Sequence, residues 1–185
     1  MSDESNSDTA KNIKKVEKKI LVMGLDNSGK TSIILSLRPD STILPFHHLK
    51  PTYGLKIEGC SDLEEKYFIW DFGGQKKYRE EHLETLPHKI TDTEKLIYVF
   101  DVQDTERYDQ GLDYLKRIMD RIADYELEIV IYLHKYDPFL EHEPSHEINE
   151  KLRLLIEKIG KIIPENKEYK VFRTCILTHL RKLPS

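Results

Sequence analysis

The chain is short of several things, and each shortage narrows what it is able to be. Its 185 residues include two cysteines, Cys60 and Cys175. These are too few for a disulfide framework and lack the spacing of a zinc ribbon, which fits a reducing, cytoplasmic setting. No apolar run approaches the length that spans a bilayer. The opening Met1-Ser2-Asp3-Glu4-Ser5-Asn6-Ser7 is polar, unlike a secretory signal. Ser2 stands where N-myristoylation needs glycine, so membrane contact is expected to be peripheral at most. A surplus of positive charge is missing too: 29 Lys and Arg against 33 Asp and Glu leave −4, which argues against nucleic acid as a partner. What is present, 38% hydrophobic and 34% charged residues, is the composition of one soluble domain with a heavily charged surface.

The most informative segment is Gly24-Leu25-Asp26-Asn27-Ser28-Gly29-Lys30-Thr31, which fits the phosphate-loop pattern G-x-x-x-x-G-K-[ST]. The apolar run Ile20-Leu21-Val22-Met23 leads into it, and Thr31-Ser32-Ile33-Ile34-Leu35 begins a helix. That context lets successive backbone N–H groups and a positive helix end face a polyphosphate.

Residues 1–18 read as a flexible polar tail carrying a short basic segment, and 19–185 as the folded domain. Ile13, Val16 and Ile20 fall at helical spacing between lysines. The segment is therefore either an amphipathic helix whose Lys14, Lys15, Lys18 and Lys19 meet anionic headgroups, or a solvated approach to the first strand. The first helix should stop near Arg38, before Pro39. Leu55 to Glu58 and Tyr67 to Trp70 read as antiparallel strands joined through Gly59-Cys60-Ser61-Asp62. Strands at Leu96–Phe100, Ile129–Leu133 and Tyr169–Thr174 then alternate with helices carrying Leu112, Leu115, Ile118, Met119 and Ile122, and Ile148, Leu152, Leu155, Ile159 and Ile162. This alternation predicts an α/β, doubly wound, mostly parallel sheet with its ligand at the carboxyl ends of the strands.

The loops at those ends hold the chemistry. Lys30 can reach β- and γ-phosphates, and the Thr31 hydroxyl can ligate Mg²⁺. Asp71, at the end of a strand, is the acid such a metal needs. Gly73-Gly74 can bring a backbone N–H to the γ-phosphate, and the Gln75 amide, which both donates and accepts, can orient an attacking water. Thr52, in the loop before the second strand, is placed to join the metal. In His134-Lys135-Tyr136-Asp137, the aspartate can accept two hydrogen bonds from a guanine edge, a pair adenine does not offer. The Lys135 stem can cover the base, and a backbone N–H around Thr174-Cys175-Ile176 can reach the guanine carbonyl.

These segments resemble the Ras superfamily of small GTPases over roughly residues 19 to 177. The phosphate loop, Pro51-Thr52-Tyr53-Gly54 and Trp70-Asp71-Phe72-Gly73-Gly74-Gln75 are similar to Arf proteins. Leu96-Ile97-Tyr98-Val99-Phe100-Asp101-Val102, His134-Lys135-Tyr136-Asp137 and Phe172-Arg173-Thr174-Cys175-Ile176 are similar to Rag proteins. The resemblance implies a six-stranded P-loop small-GTPase fold and a GTP/GDP switch using Mg²⁺. The nucleotide residues would be Asp26, Asn27, Ser28, Gly29, Lys30, Thr31, Ser32, Thr52, Gly74, His134, Lys135, Asp137, Cys175 and Ile176. Thr31, Thr52 and Asp71 would hold the metal, and Gln75 and Lys30 would be catalytic. Activating, exchange and effector proteins, including roadblock-type ones, are the partners it implies. An assembly module with negligible turnover is the alternative.

Two departures stand out. His134 occupies a position that is Asn in most small GTPases, although Rag proteins share the histidine. Only nine residues follow Ile176, too few for the long helix that closes the family fold, so either the chain is cut short there or another element, the Ile13 to Ile20 segment or a partner, is expected to cover that sheet face. Other motifs carry less. His142-Glu143-Pro144-Ser145-His146 spells the zinc-protease pattern H-E-x-x-H, but Pro144 breaks the helix that pattern needs. Asp71-Phe72-Gly73 lacks the other kinase loops, and His47-His48 reads as a solvated pair.

Overall fold

The computed structural model describes residues 16–38, 49–61, 65–142 and 146–177. Six strands form one sheet: β1 (Val16–Gly24), β2 (Leu55–Ser61), β3 (Glu65–Phe72), β4 (Thr93–Asp101), β5 (Glu128–His134) and β6 (Tyr169–Thr174), in the order β2-β3-β1-β4-β5-β6. All neighbours are parallel except β2 and β3, which pair antiparallel from Leu55↔Phe72 to Ser61↔Lys66. Among the described residues the helices are α1 (Lys30–Ser36), α2 (Lys76–Lys89), α3 (Tyr108–Arg121), α4 (Pro138–His142) and α5 (His146–Ile162). The expected doubly wound architecture is therefore present, and the carboxyl ends of β1, β3, β4, β5 and β6 open onto one rim.

The sheet is buried on both faces because its central strands are apolar on both sides. Leu21, Met23, Tyr98, Phe100, Ile131 and Leu133 pack with Leu115 and Ile118 of α3 and Leu155 and Ile159 of α5. On the opposite face Val22, Ile69, Ile97, Val99 and Val130 gather with Ile34 of α1.

Two sequence expectations need correction, and one helix escapes the sequence reading. The basic segment does not continue as a helix through Ile20: Val16–Gly24 is strand, starting three residues before the expected domain boundary. Its period is two. Lys18 sits between Glu65 at 2.8 Å and Glu94 at 3.2 Å, while the Lys19 ammonium lies 4.0 Å from the Trp70 ring centroid. Both lysines are thus engaged within the fold, and Val16 to Ile20 belongs to the sheet rather than lying across it. Ile13 to Lys15 lie outside the described residues. Next, β2 runs on through Gly59, Cys60 and Ser61, which pair with β3 as far as Ser61↔Lys66. Finally, α2 was not legible as a helix, since its buried positions are Arg79, His82, Leu83 and Leu86. Two of those four are polar, and Pro87 sits within the last turn, so neither period nor composition marks a helix. The closing segment 178–185, His47-His48 and the centre of the H-E-x-x-H pattern also lie outside the described residues.

Candidate functional site

The phosphate loop leaves β1 at Gly24 and enters α1 at Lys30. To turn within so few residues it places Asn27 at φ 60° and Gly29 at φ 92°. Gly29 is required for a second reason: a Cβ there would stand 2.4 Å from Cδ2 of His134. Gly74 arrives from β3 just as closely, and a Cβ on it would fall 2.2 Å from Asp26 N. Around this junction lies a cleft of about 220 Å³ lined by Asp26, Lys30, Thr31, Thr52, Gly74 and Gln75. Asn27, Gly29 and Ser32 also reach it, as expected, together with Leu49, Lys50 and Pro51.

Lys30 is 5% exposed, and its Nζ donates to Leu25 O at 2.6 Å. Burial draws its pKa down to about 8, against the opposing pull of Asp71 and Asp26. Such a lysine is held at a cost that a nearby polyphosphate relieves. The Ser28 hydroxyl is buried and donates to the same carbonyl at 2.9 Å, so it braces the turn from within.

Thr31 Oγ1 donates to Asp71 Oδ2 at 2.6 Å, Thr52 Oγ1 donates to the same oxygen at 2.9 Å, and the two hydroxyls are 2.9 Å apart. Three segments distant in sequence thus bring hard oxygens to one point. Asp71 is 1% exposed, and its other oxygen, Oδ1, has no hydrogen-bond partner. An orphaned buried carboxylate oxygen beside two hydroxyls is the donor chemistry Mg²⁺ takes, so the residues present fit that ion. Gln75 is the N-cap of α2, yet its side chain does not cap the helix, which leaves the amide for other work.

The base side is built from the ends of β4, β5 and β6. His134 is 3% exposed, and its Nδ1 lies 3.0 Å from Thr174 Oγ1. Burial and the charge of Lys135 hold the imidazole pKa below its ordinary value. Wedged between Gly29 and Thr174, it packs the phosphate loop against the end of β6. Lys135 adopts φ 60°, a conformation that costs a non-glycine residue about 1–2 kcal/mol. Its Nζ is 2.7 Å from Asp101 Oδ2. Tyr136 N donates to Thr174 O at 3.0 Å, the Asp137 backbone O accepts from Leu140 N at 2.9 Å at the start of α4, and the Asp137 carboxylate accepts from Gln103 Nε2 at 2.6 Å. Cys175 and Ile176 follow, half-buried, on the base side and do not line the phosphate cleft.

One residue was missed from sequence. Arg107, in the 3₁₀ turn Thr105–Arg107, donates to Asp26 Oδ1 at 3.1 Å and to Asp26 O at 3.3 Å, and pairs with Asp104. It clamps the phosphate loop from 81 residues away, and no local pattern announces such a contact.

A strand–loop–helix cradle for polyphosphate with a carboxylate beside the base loop defines the class of nucleotide-binding P-loop proteins. Residues 6–182 match the model of the ADP-ribosylation factor family, and the chain belongs to that family of GTP-binding small GTPases. Among solved structures, it is similar to the Arl6 (BBS3) small GTPase of Trypanosoma brucei, which was determined with the bound nucleotide analogue GppNp. The identity is 20%, the match covers 86% of this chain and 87% of that one, and the TM-score is 0.67. That likeness supports the fold.

Proposed function

We propose that the chain is a GTP/GDP switch that hydrolyses GTP with Mg²⁺. The observation that carries the reading is the meeting of Lys30, Thr31, Thr52, Asp71 and Gln75 around one cleft. Bound Mg²⁺ would be held by Thr31, Thr52 and Asp71 and would neutralise charge building on the phosphates. The protein's own residues do the rest. Lys30, already buried, gives its charge to the β- and γ-phosphate oxygens, and the glycine-turned loop offers N–H groups to them. Gln75 aligns a water behind the γ-phosphate, accepting from it while donating, without acting as a strong base. Asp137 accepts from the guanine edge, Lys135 flanks the ring, and the backbone at Cys175 and Ile176 meets the carbonyl. Because Thr52 and Gln75 sit on separate loops, each ordered by the γ-phosphate end of the ligand, hydrolysis releases both, and regulators and effectors read that change.

The His134–Thr174 brace supports a base side of the Rag kind joined to an Arf-like phosphate side. We assign residues before the sheet to a tail, and place the protein in the cytoplasm, at most peripheral to a membrane. The test is the nucleotide content of the purified chain followed by single-turnover GTP hydrolysis. GTP or GDP should be recovered, turnover should require Mg²⁺, and Gln75→Leu should slow it by about tenfold or more while leaving GTP affinity intact. A chain that carries neither nucleotide and takes up neither would end the proposal.

A further inference from the structure

The base-side loop is strung together by a side chain that belongs to none of the motifs above. Gln103 lies just past β4, where its backbone N–H donates to Asp101 Oδ1 at 3.0 Å. Its amide Nε2 donates twice, to Lys135 O at 2.8 Å and to Asp137 Oδ2 at 2.6 Å. Both amide hydrogens are therefore spent on the segment that faces the base.

We propose that Gln103 is a positioning residue for base recognition: by fixing the rotation of the Asp137 carboxylate, it sets how strongly the chain prefers guanine to a purine lacking the exocyclic 2-amino group. This rests on the assignment of Asp137 as the base-reading carboxylate. The terminal torsion of an aspartate is broad, so an unbraced Asp137 turns freely. A charge-assisted hydrogen bond narrows that freedom. A carboxylate has about four lone-pair positions. Gln103 takes one on Oδ2 and leaves the second, with Oδ1, for a ligand bringing two donors. Guanine brings two, N1–H and the amine, and needs both oxygens in its plane. Hypoxanthine brings only N1–H and tolerates rotation, so losing the brace penalises guanine more. No described neighbour replaces it: the Thr174 hydroxyl is engaged with His134, Lys135 Nζ is drawn to Asp101, and Cys175 offers only a weak thiol donor.

The competing role is purely structural, since the bond to Lys135 O also holds a residue at φ 60°. Affinities of GTP, GDP and ITP for the wild type and Gln103→Met, measured by competition against a fluorescent GDP in Mg²⁺, separate the two. We expect GTP and GDP to weaken about tenfold and ITP about threefold, with hydrolysis at saturating GTP unchanged. Equal weakening of GTP and ITP would mean the loop is merely loosened and overturns the proposal, as would no weakening at all. Gln103→Glu gives a second reading. A carboxylate in place of the amide removes both donors and sets a like charge beside Asp137, so GTP should bind more weakly to Gln103→Glu than to Gln103→Met. GTP binding to Gln103→Glu no weaker than to Gln103→Met overturns the proposal. A wild type that binds no guanine nucleotide removes the switch reading and this inference together, whereas a wild type that binds and a Gln103→Met indistinguishable from it removes only the inference.

Discussion

Replacing Lys30 with methionine should stabilise the protein stripped of nucleotide while destroying its grip on polyphosphate. Lys30 is buried and titrates at about 8 in the fold against 10.5 for an ordinary lysine. The unfolded chain thus binds more protons than the folded one between those values, so stability rises with pH across that window. Below pH 8 the full penalty is present, and the gap corresponds to about 3 kcal/mol. Methionine matches the stem in length and removes the charge. The lost hydrogen bond costs little, because Leu25 O retains the Ser28 hydroxyl. A net gain of about 2 kcal/mol is expected at pH 7, or about 4–8 °C in Tm for a chain of this size. At pH 10 the wild type has shed most of its penalty, and the gain should shrink to under about 1 kcal/mol. Thermal denaturation of nucleotide-free wild type and variant at pH 7 and pH 10, with GDP titrated into each, reads all of this. A variant less stable than wild type at pH 7, or a gain equal at both pH values, would show that the buried ammonium is not the strained group argued here.

Two further outcomes are expected. Arg107→Ala removes the clamp on Asp26 and should speed GDP release by about tenfold, at a stability cost of about 1 kcal/mol or less; an unchanged release rate in stopped-flow would show that the phosphate loop holds its shape unaided. Gly74→Ala places a methyl within 2.2 Å of Asp26 N. It should displace the start of α2, cutting single-turnover hydrolysis at saturating GTP by about tenfold or more, and an unaltered rate would contradict the close approach of the two loops.

Much of the architecture was written locally. The strands β4 and β5 and helices α3 and α5 were legible because each carries an apolar face, with Leu112, Leu115, Ile118 and Met119 of α3 buried as their spacing implies. The phosphate loop was legible because its glycines are dictated by the turn itself. By contrast, the sequence from Ile13 to Ile20 places its apolar residues at helical spacing among lysines that suit a solvated face, and only pairing with Glu65, Glu94 and Trp70 gave Lys18 and Lys19 a period of two. Likewise α2 buries Arg79 and His82, residues whose place inside is set by what packs over them.

The amino-acid order by itself determined which chemical groups this protein owns and that they fall in the loops after strands, because turn geometry, periodicity and residue type are properties of neighbours along the chain. The folded arrangement alone decided which groups meet. Thr31, Thr52 and Asp71 converge on one point, His134 wedges against Gly29, Arg107 reaches Asp26, and Gln103 holds Asp137. Those contacts join residues 19 to 105 positions apart, and distances of that kind are fixed by strand order and register.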